Sequence, residues 1–353
     1  MIFTNVAEVH RVTELVTSKF RSTNPQYLFN PPKGDFITGE TCVFITNEFS
    51  VTRDESSSGH YILSISQDHY LTSTLQKLNQ KGCIQLDNMR HCKALDPKIF
   101  IHSKLGEVCD DNPLLNSTQL TQLRSMVNSL GYLASTRPDI SAALGTVARG
   151  QAAGRKRHLC AAQILVSYVM TKRRKFHCRV AIDESEIVPI AIAATFDANL
   201  TDDQYSRMGC FVSLRIGHQN CECTVNFKSG LSTTTCLSTC EAELGSSSFC
   251  ARIVESLRNV IREVLLHSKR YHISSSDMAG DNSAANLISN SSAGIRNVRH
   301  LSLQTFFVRS LTNSGKMTVR YVNTAENPSD LLTKVLSESI LEPFLKMVGL
   351  VSM

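Results

Sequence analysis

Four acidic residues recur at one kind of place along this chain. Asp197 ends the apolar run Val188-Pro-Ile-Ala-Ile-Ala-Ala-Thr-Phe196, Glu243 stands near the start of a long amphipathic segment, Asp281 closes a second strand-like run and opens an Ala-rich helix, and Asp330 follows Asn327-Pro328-Ser329 at the start of a later helix. Each lies where a strand ends or a helix begins. In an open α/β sheet those junctions converge on one edge, where ligands bind. A converging set of carboxylate oxygens suits Mg²⁺ or Mn²⁺ rather than zinc.

Periodicity divides the 353 residues into three stretches, which we expect to be units 1–115, 116–178 and 179–353. In the first, Val9, Val12, Leu15 and Val16 share a helical face, a loop rich in Asn, Pro and Gly covers 24–39, and 42–45 and 61–65 read as strands flanking the polar turn 54–59. A helix is expected over 66–78. The second stretch is helical: Leu120, Leu123, Val127, Leu130 and Leu133 make one stripe, a helix follows Pro138, and another covers 158–170 between the basic runs Arg155–Arg157 and Lys172–Lys175. The third predicts strands at 187–196, 208–216, 221–228, 271–279 and 316–323. It predicts helices at 239–267, 282–289, 299–312 and after 327. Val254, Leu257, Ile261, Val264 and Leu265 form the core face of the long helix, and Met317, Val319 and Tyr321 alternate as in a half-buried strand.

Composition excludes more than it selects. An apolar fraction of 42% and a charged fraction of 19% are those of a globular chain, and a net charge of +6 permits a phosphate backbone as partner without requiring one. No run reaches the ~18 apolar residues of a membrane helix. The twelve cysteines are scattered, with no pairs at zinc spacing, so free thiols in a reducing intracellular compartment, cytoplasmic or nuclear, are expected.

The motifs resemble the C-terminal part of Ty1/copia-type retrotransposon polyproteins. Leu237-Ser-Thr-Cys-Glu-Ala-Glu-Leu244 is similar to the family's Ser-Ser-Thr-Glu-Ala-Glu-Tyr, Gly280-Asp-Asn-Ser-Ala-Ala285 to its Cys-Asp-Asn-Gln-Ser-Ala, and Ser329-Asp-Leu-Leu-Thr-Lys334 to its Ala-Asp-Ile-Leu-Thr-Lys. Upstream, Leu133-Ala-Ser-Thr-Arg-Pro-Asp-Ile140 resembles the family's Thr-Arg-Pro-Asp-Ile segment between polymerase and RNase H. The resemblance implies an α/β chain, an RNase H-like mixed five-stranded sheet with flanking helices, preceded by a truncated reverse-transcriptase palm and thumb remnant and a helical connection. The opening Met1-Ile-Phe-Thr-Asn5 is similar to the residues directly after the family's Tyr-x-Asp-Asp turn, which places the polymerase carboxylates upstream and implies that this stretch does not polymerise.

The same resemblance implies ribonuclease H chemistry: two Mg²⁺ or Mn²⁺ ions held by Asp197, Glu243, Asp281 and Asp330, an RNA:DNA hybrid as substrate, the upstream polymerase as a partner, and no small-molecule cofactor. Local chemistry competes at several positions. Asp281 suits a helix N-cap, and Asp330 suits position N3 after an N-cap at Asn327. Ser238-x-x-Glu241 reads as a capping box, which leaves Glu243, about 200° further round the helix, for the sheet edge. Arg173, Arg174, Lys175, Asn282 and His300 are candidates for contact with nucleic acid, against a reading of the 172–175 run as a solvated helix end. Departures from the family pattern (Asn199 for an Asp, Phe227 for a Trp, Gly245 early in a helix) keep open the alternative of a catalytically inactive remnant that only binds nucleic acid or a partner.

Overall fold

The computed structural model of the chain describes residues 41–44, 49–55, 60–181, 187–200, 205–217, 222–265, 270–290 and 302–353. The helix expected at 9–20, the loop at 24–39 and His300 lie outside the described residues.

Two sheets organise the chain. One has the order β1-β2-β3-β4-β11, built from Thr41–Phe44, Phe49–Glu55, His60–Ser66, Arg174–Ala181 and Leu350–Ser352. The other has the order β10-β9-β5-β6-β7, built from Met317–Tyr321, Ser276–Gly280, Val188–Leu200, Tyr205–Ile216 and Glu222–Thr235. The short β8 (Tyr271–Ile273) pairs with β5 just ahead of β9. Its register with β5 shifts by one residue between Ile190↔Ile273 and Ala193↔Asp277, so β8 and β9 are one strand interrupted by an inserted residue. With β5 antiparallel to β6 and parallel to β9, and β10 parallel to β9, this is the mixed five-stranded arrangement of an RNase H-like fold.

Helices fill in as their periodicity predicts. In the first body α1 (Asp68–Gln80), α3 (Ser117–Leu133), α4 (Ser141–Ala148) and α5 (Lys156–Thr171) meet around Leu75, Leu123, Met126, Leu130, Val147 and Leu165, with the five-residue α2 (His102–Gly106) beside them. Asn116 caps α3 in a complete capping box with Gln119. In the second body the 26-residue α6 (Thr239–Val264) lies on one face of the sheet, where Ile192, Ala194 and Phe196 of β5 meet Cys250, Ala251 and Val254. The helices α7 (Ser283–Asn290) and α8 (Ser302–Asn313) follow β9, and Met317 and Val319 of β10 enter the same core. Tyr321, expected beside them, is exposed at the end of its strand.

The opposite face of β6 is also covered. Phe211, between Cys210 and Val212 and so directed to the other side, packs with Phe176 of β4, α9 (Asp330–Thr333) and α10 (Glu338–Met347). Phe227 stands between Phe176 and Phe211 with ring centroids at 5.8 and 5.6 Å, filling the seam between the two sheets.

Several expectations are corrected by this architecture. The basic run ending in Lys175 is the end of α5 and the start of β4, and the expected boundary at 178/179 falls inside that strand. Arg173 Nη1 lies 2.6 Å from Asp68 Oδ1, and buried Arg174 lies 2.6 Å from Glu342 Oε1. Both guanidiniums are therefore engaged within the fold. Cys178 of β4 and Cys223 of β7 are disulfide-bonded across the seam, with Cα atoms 4.9 Å apart, so not every thiol is free. The Thr136-Arg-Pro-Asp-Ile140 segment is buried. Asp139 accepts from Arg137 Nε at 2.9 Å and Nη2 at 2.7 Å and from the Tyr168 hydroxyl at 3.0 Å, with Arg174 Nε at 3.7 Å. Burial and the Asp139 charge push the Tyr168 hydroxyl well above its usual pKa. Among the described residues no helix is long and apolar enough to cross a membrane.

Candidate metal centre

Parallel pairing of β5 with β9 brings the first two acids together. Thr195 is opposite Ala279, and the same register carried two residues further puts Asp197 level with Asp281. Asp197 is buried inside β5, and Asp281 follows the last residue of β9. The expected N-cap role for Asp281 goes to its neighbour: Asn282 Oδ1 accepts from the Ala285 amide at 3.0 Å. Asp281 is left facing the sheet edge, held by the Thr324 hydroxyl at 2.7 Å.

Asp330 arrives from the far side of the sheet. Its helix is anchored to β5 by Asn327 Nδ2 donating to the Phe196 carbonyl at 2.9 Å, and by the hydroxyls of Ser329 and Thr195 at 2.8 Å. Thr333 donates to Asp197 itself. The N-cap is Ser329 rather than Asn327, so Asp330 is the first residue of the turn, not its third. Gly209, opposite Asp197 in β6, permits this approach, because a Cβ there would stand 2.6 Å from Leu332 Cβ. One carboxylate oxygen from each of Asp197, Asp281 and Asp330 lies within 4.8 Å of the other two.

Glu243 stands outside that trio and behind it. Ser238 caps α6 by accepting from the Glu241 amide at 3.2 Å, while the Glu241 carboxylate accepts from the Leu237 amide rather than completing the expected box. Two residues on, Glu243 turns inward, and its Oε1 accepts from the Ala198 amide at 3.2 Å. Its Oε2 is buried with no hydrogen-bond partner. Burial, then the charges of Asp197 and Asp281, push the Glu243 carboxyl up to about 9. Burial and Asp197 likewise raise Asp330 to about 6, against the pull of Lys334.

Lys334 is a site residue that motif reading passed over. Its Nζ lies 2.7 Å from Asp330 Oδ1 and 3.5 Å from Asp197 Oδ2. Burial alone would lower its pKa, but Asp197, Asp330 and Asp281 hold it above the usual value. The signal was present in the sequence: Lys334 is four residues after Asp330, the spacing at which helical side chains meet. Asn199, where the resemblance has an Asp, donates from Nδ2 to the Thr333 carbonyl at 3.4 Å.

The donor set fits divalent hard cations. Four carboxylates face one ammonium, every candidate ligand is an oxygen, and one buried carboxylate oxygen has no donor.

No family model matches the chain. By sequence it is 26% identical over 294 residues to the retrovirus-related Pol polyprotein from transposon TNT 1-94 of Nicotiana tabacum, covering 82% of this chain and 20% of that protein. It is 25% identical over 288 residues to the corresponding polyprotein from transposon RE1 of Arabidopsis thaliana, covering 81% and 18%. Its homologues are thus transposon Pol polyproteins, and the chain spans about a fifth of the length of these relatives. Among solved structures, RNase H1 from Halobacterium salinarum NRC-1 superposes with a TM-score of 0.29 at 14% identity, over 43% of this chain and 98% of that one. The foamy viral protease-reverse transcriptase in complex with RNA/DNA hybrid superposes with a TM-score of 0.33 at 10% identity, over 80% and 29%.

Proposed function

We propose that this homologue of transposon Pol polyproteins is a ribonuclease H-type nuclease that hydrolyses the RNA strand of RNA:DNA hybrids at the Asp197, Glu243, Asp281 and Asp330 centre. The observation that carries this reading is the convergence of Asp197, Asp281 and Asp330 from β5, the end of β9 and α9 to within 4.8 Å on the carboxyl-end edge of the parallel strands. Two Mg²⁺ or Mn²⁺ ions held there would supply an activated water and charge stabilisation for the leaving 3′ oxygen.

The protein's own part is placement. Asp197 is central, flanked by Asp281 on one side and by Asp330 and Lys334 on the other. Glu243 is fixed by the Ala198 amide, with its second oxygen buried and left without a donor. Lys334 offsets part of the carboxylate charge before a cation enters. Lys175 and Asn282 would contact the hybrid backbone, and choice of RNA would rest on its 2′-hydroxyls.

A hybrid with separately labelled RNA and DNA strands, incubated with the full chain and Mg²⁺ or Mn²⁺, tests this. The RNA strand alone is expected to be cut. Asp281→Asn, which removes a direct ligand rather than a supporting contact, is expected to lower the rate at least about 100-fold. A folded wild-type chain that cuts neither strand would leave the inactive, binding-only reading.

A further inference from the structure

A buried charge lies on the α9 side of the sheet, two residues along β6 from Gly209, the partner of Asp197. Arg207 of β6 is 6% exposed, yet among the described residues no carboxylate pairs with it, and its hydrogen bond is a long one from Nη1 to Ser229 Oγ at 3.4 Å. A buried cation without a counter-ion is costly unless something offsets it. The sequence nonetheless makes room for it. Gly145 of α4 lies under the guanidinium, where a Cβ would stand 2.2 Å from Nη1. Burial and the charge of nearby Arg149 pull Arg207 down to about 10, so it remains a cation at neutral pH. Burial, then the charges of Arg149 and Arg207, also lower the imidazole of His102.

Arg207 opens into a cleft of about 540 Å³ between α3, α4 and β6–β7. Its lining includes the Arg207 cation and the polar side chains of Asn128, Ser135, Gln151 and Ser229, with no acidic side chain, while the Lys228 ammonium lies over the Phe249 ring of α6, 5.6 Å from its centroid, on the other face of the sheet. Amides, hydroxyls and a guanidinium fork match phosphate oxygens, and the volume lies within the ~300–1,000 Å³ of small-ligand sites, well above that of a lone ion. We propose that this cleft is a phosphate-binding site separate from the acidic centre, taking either a backbone phosphate of a nucleic acid or a free phosphorylated ligand. It is independent of whether the chain cleaves hybrids.

The test uses the full chain in EDTA, which removes catalysis from the readout. One arm measures binding of a fluorescent RNA:DNA hybrid over a series of salt concentrations. The other measures the thermal shift produced by inorganic phosphate. The variant Asn128→Glu puts a carboxylate in the cleft from an exposed helical position that tolerates it, and Arg207→Gln is the second variant. Weaker hybrid binding, with the slope of log K against log salt reduced by about one, assigns the site to a backbone phosphate. Loss of the phosphate-induced shift alone assigns it to a free phosphorylated ligand. A folded Asn128→Glu chain indistinguishable from wild type in both arms overturns the proposal, as does a wild-type chain that binds neither probe.

Discussion

At the scale of single residues, the site depends on which acids escape local duties. Asn282, Ser238 and Ser329 take the cap positions, and Glu241 takes a backbone amide at the helix start. That division frees Asp281, Asp330 and Glu243 for one another. The sequence made the four acids legible because each closes a strand or opens a helix. It made Lys334 only half legible: the four-residue spacing from Asp330 was there to read, but the contact with Asp197, 137 positions away, was not. Nor did it show that Glu243 stands a step behind the three aspartates. Crowding has a pH signature. Glu243 at about 9 and Asp330 at about 6 lie above the ordinary carboxylate range near 4, so the folded, metal-free chain keeps protons that the unfolded chain releases. Their stabilising contribution is complete below about pH 4 and is lost as pH rises, through about 6 for Asp330 and about 9 for Glu243. Urea midpoints measured in EDTA are expected to fall between pH 6 and 9, and Glu243→Gln to flatten that fall. A wild-type midpoint that rises over this range would contradict the assignment.

Elements with a clear apolar period were read well and short polar ones were not. The stripe through Leu123, Val127 and Leu130 and the one through Val254 and Ile261 both face cores, as their 3.6-residue spacing demands. β4 was hidden because its first residues, Arg174 and Lys175, look like a helix end, while Phe176 and Cys178 alternate too briefly to declare a strand. Only β3 and β11 on either side define it. The Arg137-Pro138-Asp139 segment was legible as a motif but not as a structure. Its Asp139 is a buried acceptor for Arg137 and Tyr168 beside Arg174, tying α5 and a tight turn to β4 and, through Glu342, to α10. Removing one member of such a network leaves the others uncompensated. Asp139→Asn is expected to cost about 3–5 kcal/mol in chemical denaturation; a loss below about 1 kcal/mol would show that the network is not holding these elements together.

Over the whole molecule, two sheets are joined rather than merely linked in sequence. The seam holds Phe176, Phe211, Phe227, Leu332 and Phe344, and β11 carries the end of the chain back to the first sheet. The Cys178–Cys223 bond closes a 45-residue separation across that seam. Loop-closure entropy alone gives such a cross-link about 4 kcal/mol. Reductant is therefore expected to lower the unfolding midpoint of the wild-type chain and to leave Cys178→Ala/Cys223→Ala unmoved; equal behaviour of the two with and without reductant would show that the bond contributes nothing. Scattered cysteines gave no hint of this pairing, because only the docking of β4 on β7 brings the two together. Phe227, read in sequence as a departure from a family Trp, serves the same seam.

The central claim is that Asp197, Asp281 and Asp330, with Glu243 behind them, form a divalent-cation centre. Calorimetric titration of Mn²⁺ into the full chain and into Asp197→Asn tests it without relying on turnover. Saturable binding by the wild-type chain that is lost in Asp197→Asn, with the variant still folded, is the predicted result; equal binding by the two chains, or none by either, would contradict it.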